Sequence, residues 1–214
     1  LAYAGLMGIF TLLAGCNIVG ALVVMLAPPQ IQKAEFKLSE QRVVVLIDMA
    51  RPEDENVVFR QALHDKLVEI FGENRVKTDL VPEEEVLRLR QQNADFKSWD
   101  IQKIGRRLNA KQVLWIRVDR LQLREAPGSP LLTPVAQLRL KLIGTEQESR
   151  GGARLWPSSQ EPEGRAVQRA RPAQDAASNT VIDEEARKLG KDAAWLVAMP
   201  FYDVDLEKKT PWEP

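Results

Sequence analysis

A single α/β domain is the fold this sequence predicts: a mixed sheet of four to five strands packed by three to four helices, behind an N-terminal signal or membrane helix. Three observations lead there. Val43-Val44-Val45-Leu46-Ile47 is a continuous apolar, β-branched run bounded by charge and Pro52, the pattern of a strand buried on both faces and so central in a sheet. Phe59, Leu63, Leu67, Ile70 and Phe71 recur at helical spacing, as do Ile182, Ala186, Leu189, Ala193, Leu196 and Val197. Leu138, Leu140 and Leu142 alternate with Gln137, Arg139 and Lys141, the signature of an antiparallel strand with one wet face.

Pro28-Pro29 closes an apolar N-terminal run, and residues 30–42 read as a polar tether leading to the domain at 43–206. Asp48 ends the first strand, a loop covers 50–55, and the helix over 56–72 stops at Gly72 and Asn74. Arg75 to Leu80 reads as a short strand. Pro82 followed by Glu83, Glu84 and Glu85 starts a helix to Gln92, with proline in the first turn and acids at the positive end of the dipole. Asp100 caps a short helix from Ile101 to Leu108. Lys111 to Leu123 is a long strand, and Pro127, Gly128, Pro130 and Pro134 force a loop after it. Residues 145–178 turn polar and read as a flexible insertion, with short strands only near 153–157 and 165–169. A last helix runs from Thr180 to Met199, Pro200 ends it, Phe201-Tyr202 pack back, and 207–214 form a tail.

The first 28 residues carry no charged side chain. Leu6, Met7, Ile9, Phe10, Leu12 and Leu13 form an apolar stretch that ends in Ala14-Gly15-Cys16, with the only cysteine of the 214 residues. Leu12 to Cys16 resembles the lipobox of bacterial lipoproteins. That resemblance implies cleavage between Gly15 and Cys16, a diacylglyceryl group on Cys16, a signal segment over 1–15 and a lipid-anchored tether over 16–42. Without Met, Lys or Arg ahead of the apolar stretch, the leader reads as one whose start is cut short. The competing reading is a membrane-spanning anchor, because the run resumes from Ile18 to Leu26 and about 20 apolar residues cross a bilayer. Either one holds the domain at a membrane.

Thirty basic and thirty acidic residues balance, which gives no electrostatic footprint for nucleic acid. A single cysteine excludes an intrachain disulfide, which is ordinary for exported bacterial domains with a sufficient core. The lone His64, between Leu63 and Leu67, reads as a surface or core-edge residue rather than a base or metal ligand. Cys16 has no base beside it, and Arg150-Gly151-Gly152-Ala153 lacks the Lys-Ser/Thr of a phosphate loop. No metal or cofactor is expected. Asp48 is the remaining site residue: it stands at the C-terminal end of the first strand, where open α/β sheets bind ligands and where carboxylates also cap loops. The five tryptophans read as core or edge residues, Trp156 and Trp212 as the exposed exceptions.

Gly15-Cys16-Asn17-Ile18, the strand Val43 to Asp48, the stretch Ile104-Gly105 to Val113-Leu114, Leu155-Trp156-Pro157 and Phe201-Tyr202 resemble a set of planctomycete-type bacterial lipoproteins. More remotely, the strand and helix order is similar to periplasmic α/β domains of the TolB N-terminal, curli-secretion and peptidoglycan-synthase-activator type. The resemblance implies a non-enzymatic, membrane-anchored envelope protein facing the periplasm, a structural or interaction module whose partner is another envelope protein. The alternative is a periplasmic domain binding a small ligand or cell-wall fragment in a cleft near Asp48. Intact-mass spectrometry of the membrane fraction is expected to show loss of residues 1–15 and a diacylglyceryl addition on Cys16. An unmodified Cys16 in an uncleaved chain would leave the spanning helix instead.

Overall fold

The computed structural model describes residues 31–126, 128–146, 154–175 and 178–205. Strand β1 (Ile31–Gln32) is followed by β2 (Arg42–Met49), which forms on the long β-branched run and buries every residue from Val43 to Ile47. β2 lies parallel to β3 (Asp79–Leu80) on one side and to β4 (Gln112–Arg124) on the other. β5 (Leu131–Gly144) returns antiparallel to β4, from Gln112 opposite Gly144 to Arg124 opposite Leu132. Three short strands share the far edge of β5: β6 (Arg154–Trp156), β7 (Arg165–Ala170) and β8 (Gln174–Asp175). The sheet counts seven strands but is five ranks wide, in line with the predicted width. β9 (Val204–Asp205) pairs with β1 in a separate ribbon.

Helices cover both faces. Helix α1 (Val57–Glu73) starts on the Asn56 side chain, which accepts from Phe59 N at 2.8 Å. Helix α4 (Asn179–Ala198) starts in the same way on Ser178. Both lie over Val45, Ile47, Leu114, Ile116, Leu140 and Leu142. Gly190 permits their close approach, since a Cβ there would stand 2.6 Å from the Phe59 carbonyl oxygen. On the other face, α2 (Glu83–Gln92) and α3 (Ile101–Arg107) close over Val44, Leu46 and Val113. Past Trp115 that face is bare and wet, with Asp119 bonded to Arg117 at 3.1 Å and to Arg139 at 2.9 Å.

Several expectations need correction. β2 is not the middle strand but the second from one edge. Burial on both faces needs two helical layers, not a central rank, and this fold supplies the layers to an outer strand. The strand expected over 75–80 shrinks to Asp79–Leu80 because Arg75, at φ 52°, is spent on the turn that closes α1. β5 begins at Leu131, ahead of Pro134, which sits where the β4–β5 register shifts and the ladder needs no N–H.

The polar stretch 31–42 is docked rather than loose. Lys33 and the Ala34 N–H reach Asp203 at 2.8 and 3.0 Å, and the Glu35 and Phe36 N–H groups donate to the Pro200 carbonyl at 2.8 and 3.1 Å. Glu35 receives two bonds from Arg165 at 3.0 Å and one from the Trp156 indole at 3.2 Å, and Leu38 is buried. Within the segment 145–178, the short strands expected near 153–157 and 165–169 form as β6 and β7, and the described residues add β8, all paired along β5. Residues 147–153 and 176–177 lie outside the described chain, as does the tail 207–214.

The arginines of this segment explain why it is ordered. Arg171 bonds Glu185 at 2.9 Å and Asp192 at 2.8 Å, and Arg169 bonds Asp192 at 3.1 Å, clamping β7 and the chain after it onto α4. Burial alone would raise the Glu185 carboxyl. Bonds from Arg171 and Lys188 outweigh that and hold it below the usual glutamate range. A lowered folded-state value stabilises the fold above the unfolded value of about 4.3, and that contribution is lost as pH falls through the folded value. Arg171→Ala strands Glu185, 2 % exposed, without its main partner and should cost roughly 3–5 kcal/mol, the range for breaking a buried pair. Melting curves of the variant should be depressed at pH 7, and the gap to the parent should narrow in acid. A constant gap from pH 7 to pH 3 would show that the pair does not provide the stabilisation.

Candidate functional site

The end of β2 opens into a cleft of about 500 Å³, within the range of small-molecule sites. Alternation along β2 places Val44, Leu46 and Asp48 on the α2–α3 face, so the two apolar residues enter the core and Asp48 emerges at its rim. Leu46, Phe96, Ile104 and Trp115 form an apolar floor. Asp48, Glu55, Arg90, Lys97 and Trp99 form the rim.

Each rim residue is set by local structure. The loop after β2 is tied down by Asp54, whose carboxylate accepts from Arg51 at 2.6 Å and from the Leu121 N–H at 3.2 Å. Asp100 caps α3 by accepting from Lys103 N at 2.5 Å, which brings Trp99 to the cleft wall. The Trp99 indole N–H donates to Asp95 at 2.8 Å and holds that carboxyl below the usual aspartate range. Lys103 stands 3.9 Å from the centre of the Trp99 ring. Arg90 lies over the Phe96 ring at 5.3 Å.

The rim carries both paired and unpaired charge. Glu55 is ion-paired with Arg60. Asp48, Arg90 and Lys97 take part in no hydrogen bond or ion pair among the described residues. Asp48 therefore caps nothing here, and of the two roles expected for it only exposure at a cleft is realised.

Behind Arg90, a slot of about 10 Å³ runs between α1, α2 and the edge of β2, lined by Val45, Ile47, Arg60, His64, Glu83 and Arg90 among others. His64 belongs to the core, 6 % exposed, rather than to the surface or core edge. Neither ring nitrogen has a hydrogen-bond partner among the described residues, and Asp65 stands at 3.6 Å from Nδ1, too far for a bond. Among the described residues no group of three His, Cys, Asp or Glu could hold a metal. No described helix is long and apolar enough to cross a membrane, and Gly15 and Cys16 lie outside the described residues.

The structure places Asp48, the residue singled out from the sequence, on the lining of this cleft together with Arg90, Lys97, Trp99 and Trp115, which sequence reasoning did not single out. Trp99 and Trp115, which the sequence places at the core or its edge, are half-buried and line the cleft. Arg90 follows the buried Val86 by four residues, so it falls on the inward stripe of α2, a signal the sequence did contain.

No family model matches this sequence, and no curated protein does. Among solved structures, the chain is similar to a PelC dodecamer subunit from Paraburkholderia phytofirmans at 14 % identity and a TM-score of 0.39, covering 82 % of this chain and 99 % of that one. Lipoprotein GNA1162 from Neisseria meningitidis gives 14 % identity and a TM-score of 0.41, over 72 % and 97 % of the two chains. Protein XCC0632 from Xanthomonas campestris gives 13 % identity and a TM-score of 0.43, over 80 % and 94 %.

His64 yields a stability test. An orphaned buried donor or acceptor costs about 1–3 kcal/mol, and an apolar replacement of similar shape removes the cost. His64→Leu should therefore melt at or above the parent temperature. A loss above about 2 kcal/mol would mean that the imidazole makes a bond the domain depends on.

Proposed function

We propose that this chain is a lipid-anchored protein of the bacterial envelope that faces the periplasm and acts by binding rather than catalysis, with another envelope protein as its partner. The observation that carries the reading is the polarity of the domain. Residues 31–42 and the C-terminal ends of α1 and α4 gather where β2 begins, as the Phe71–Phe201 contact and the bonds to Pro200 record. Asp48 stands at the opposite end of the strand, about 20 Å away at roughly 3.3 Å per residue. A tether on Cys16 enters at the first end, so the cleft is held out from the membrane toward other envelope components. The Gly15-Cys16 pattern supports the tether.

A second reading has its own observation. Three unpaired charged side chains around an aromatic floor favour direct binding of a small ligand or cell-wall fragment in the cleft. A photo-crosslinking side chain placed at Lys97 in the anchored protein separates the two in cells. A single envelope protein trapped at Lys97, and lost in a Trp99→Ala background, is the expected result. Equal trapping from Lys77, which lies near the tether end, would count against the cleft as the binding surface.

A further inference from the structure

Resting on that second reading, we propose that the cleft binds a short apolar peptide with free charged ends, its ammonium on Asp48 and its carboxylate on Arg90 and Lys97. Most charged side chains of the described domain are already matched: Arg42 with Glu85, Arg60 with Glu55 and Glu83, Arg139 with Asp119, Arg165 with Glu35 and Glu161. Asp48, Arg90 and Lys97 form no ion pair or hydrogen bond among the described residues, and all three line this one cleft. The same cleft is lined by Leu46, Phe96, Ile104 and Trp115 and by the adaptable thioether of Met49.

The arrangement selects among ligand classes. A multiply charged anion such as a phosphate ester would be met by Arg90 and Lys97 but opposed by Asp48 and Glu55 on the same rim. A neutral sugar could stack on the tryptophans, yet it would cover three charged groups without replacing their hydration, which is costly. A fatty acyl chain has the same defect. A zwitterion with an apolar body meets all of the requirements: its two ends replace water on opposite charges while its side chains cover the floor. Arg90 is suited to the carboxylate because its guanidinium is already oriented by stacking over Phe96 at 5.3 Å, so less conformational freedom is lost on binding.

The test is calorimetric titration of the full-length anchored protein in detergent with a Leu-Phe-Leu tripeptide in four forms: free, N-acetylated, C-amidated and doubly blocked. The free form should bind at least tenfold more tightly than either singly blocked form. Asp48→Asn should abolish the penalty for acetylation but keep the penalty for amidation, and Arg90→Gln should do the reverse. Such a paired pattern reports a specific contact, whereas a variant that merely weakened the fold would affect all four peptides alike. All three residues are at least partly exposed, so both variants should keep the parental melting transition.

Equal binding of free and doubly blocked peptide would overturn the proposal, as would penalties unchanged in the variants. An N-acetylglucosamine oligomer serves as the second probe. If it binds with a dependence on Trp99 while the peptides do not, the peptide class fails and the ligand cleft stands. If neither probe binds, both the peptide class and the small-ligand reading fail together.

Discussion

In an antiparallel pair with one buried face, a slip of one residue sends every side chain to the wrong side, so such a pair fixes its own register and that of everything attached to it. Here that pair is β4 and β5. Leu114, Ile116 and Val118 face α1 and α4 together with Leu138, Leu140 and Leu142, while Trp115, Arg117, Arg139 and Lys141 take the opposite face. β2 takes its place by parallel pairing along β4, and three short strands line up along β5. Because β2 is in register with β4, Leu46 stands beside Trp115 and Asp48 beside Arg117, which sets the floor and the rim of the cleft in one step.

Much of this was legible in the sequence because it is written in periodicity and punctuation. The uninterrupted Val43 to Ile47 run, the alternating leucines of β5, Asp100 at the start of α3 and Pro82 at the start of α2 each report a local preference that the fold keeps. What stayed hidden depends on partners distant in sequence. Glu35 and Arg165 each look like solvated charge until they meet across the edge of the sheet, and Arg171 looks like part of a mobile segment until Glu185 and Asp192 receive it. Composition counts polar residues as reasons for disorder. It cannot count the ion pairs that make the same residues a clamp.

The site was half legible for the same reason. Asp48 could be found because the end of a strand in an open α/β sheet is a place that topology marks in advance. Arg90, Lys97 and Trp99 come from α2, from the turn after it and from the cap of α3, and only the packing of those elements on Leu46 and Trp115 brings them to Asp48. The bare face beyond Trp115 makes the contrast plain. Arg117, Asp119, Arg139 and Glu163 neutralise one another there, and the surface is content in water. In the cleft, Asp48, Arg90 and Lys97 have no such partners among the described residues.

The docking of residues 31–42 has a mechanical side. A pull arriving at Ile31 does not reach the core strand directly. It meets the pairing with Val204 and Asp205, then Lys33 on Asp203, then the bonds from Glu35 to Pro200, Arg165 and Trp156, and finally the buried Leu38. These fasteners stand in series and hold to different parts of the domain, so they yield one after another and spend the extension as they open. The junction works as a shock absorber: drag on the anchored end is taken up in short polar links, and the register of β2, with the cleft at its far end, is the last thing to feel it.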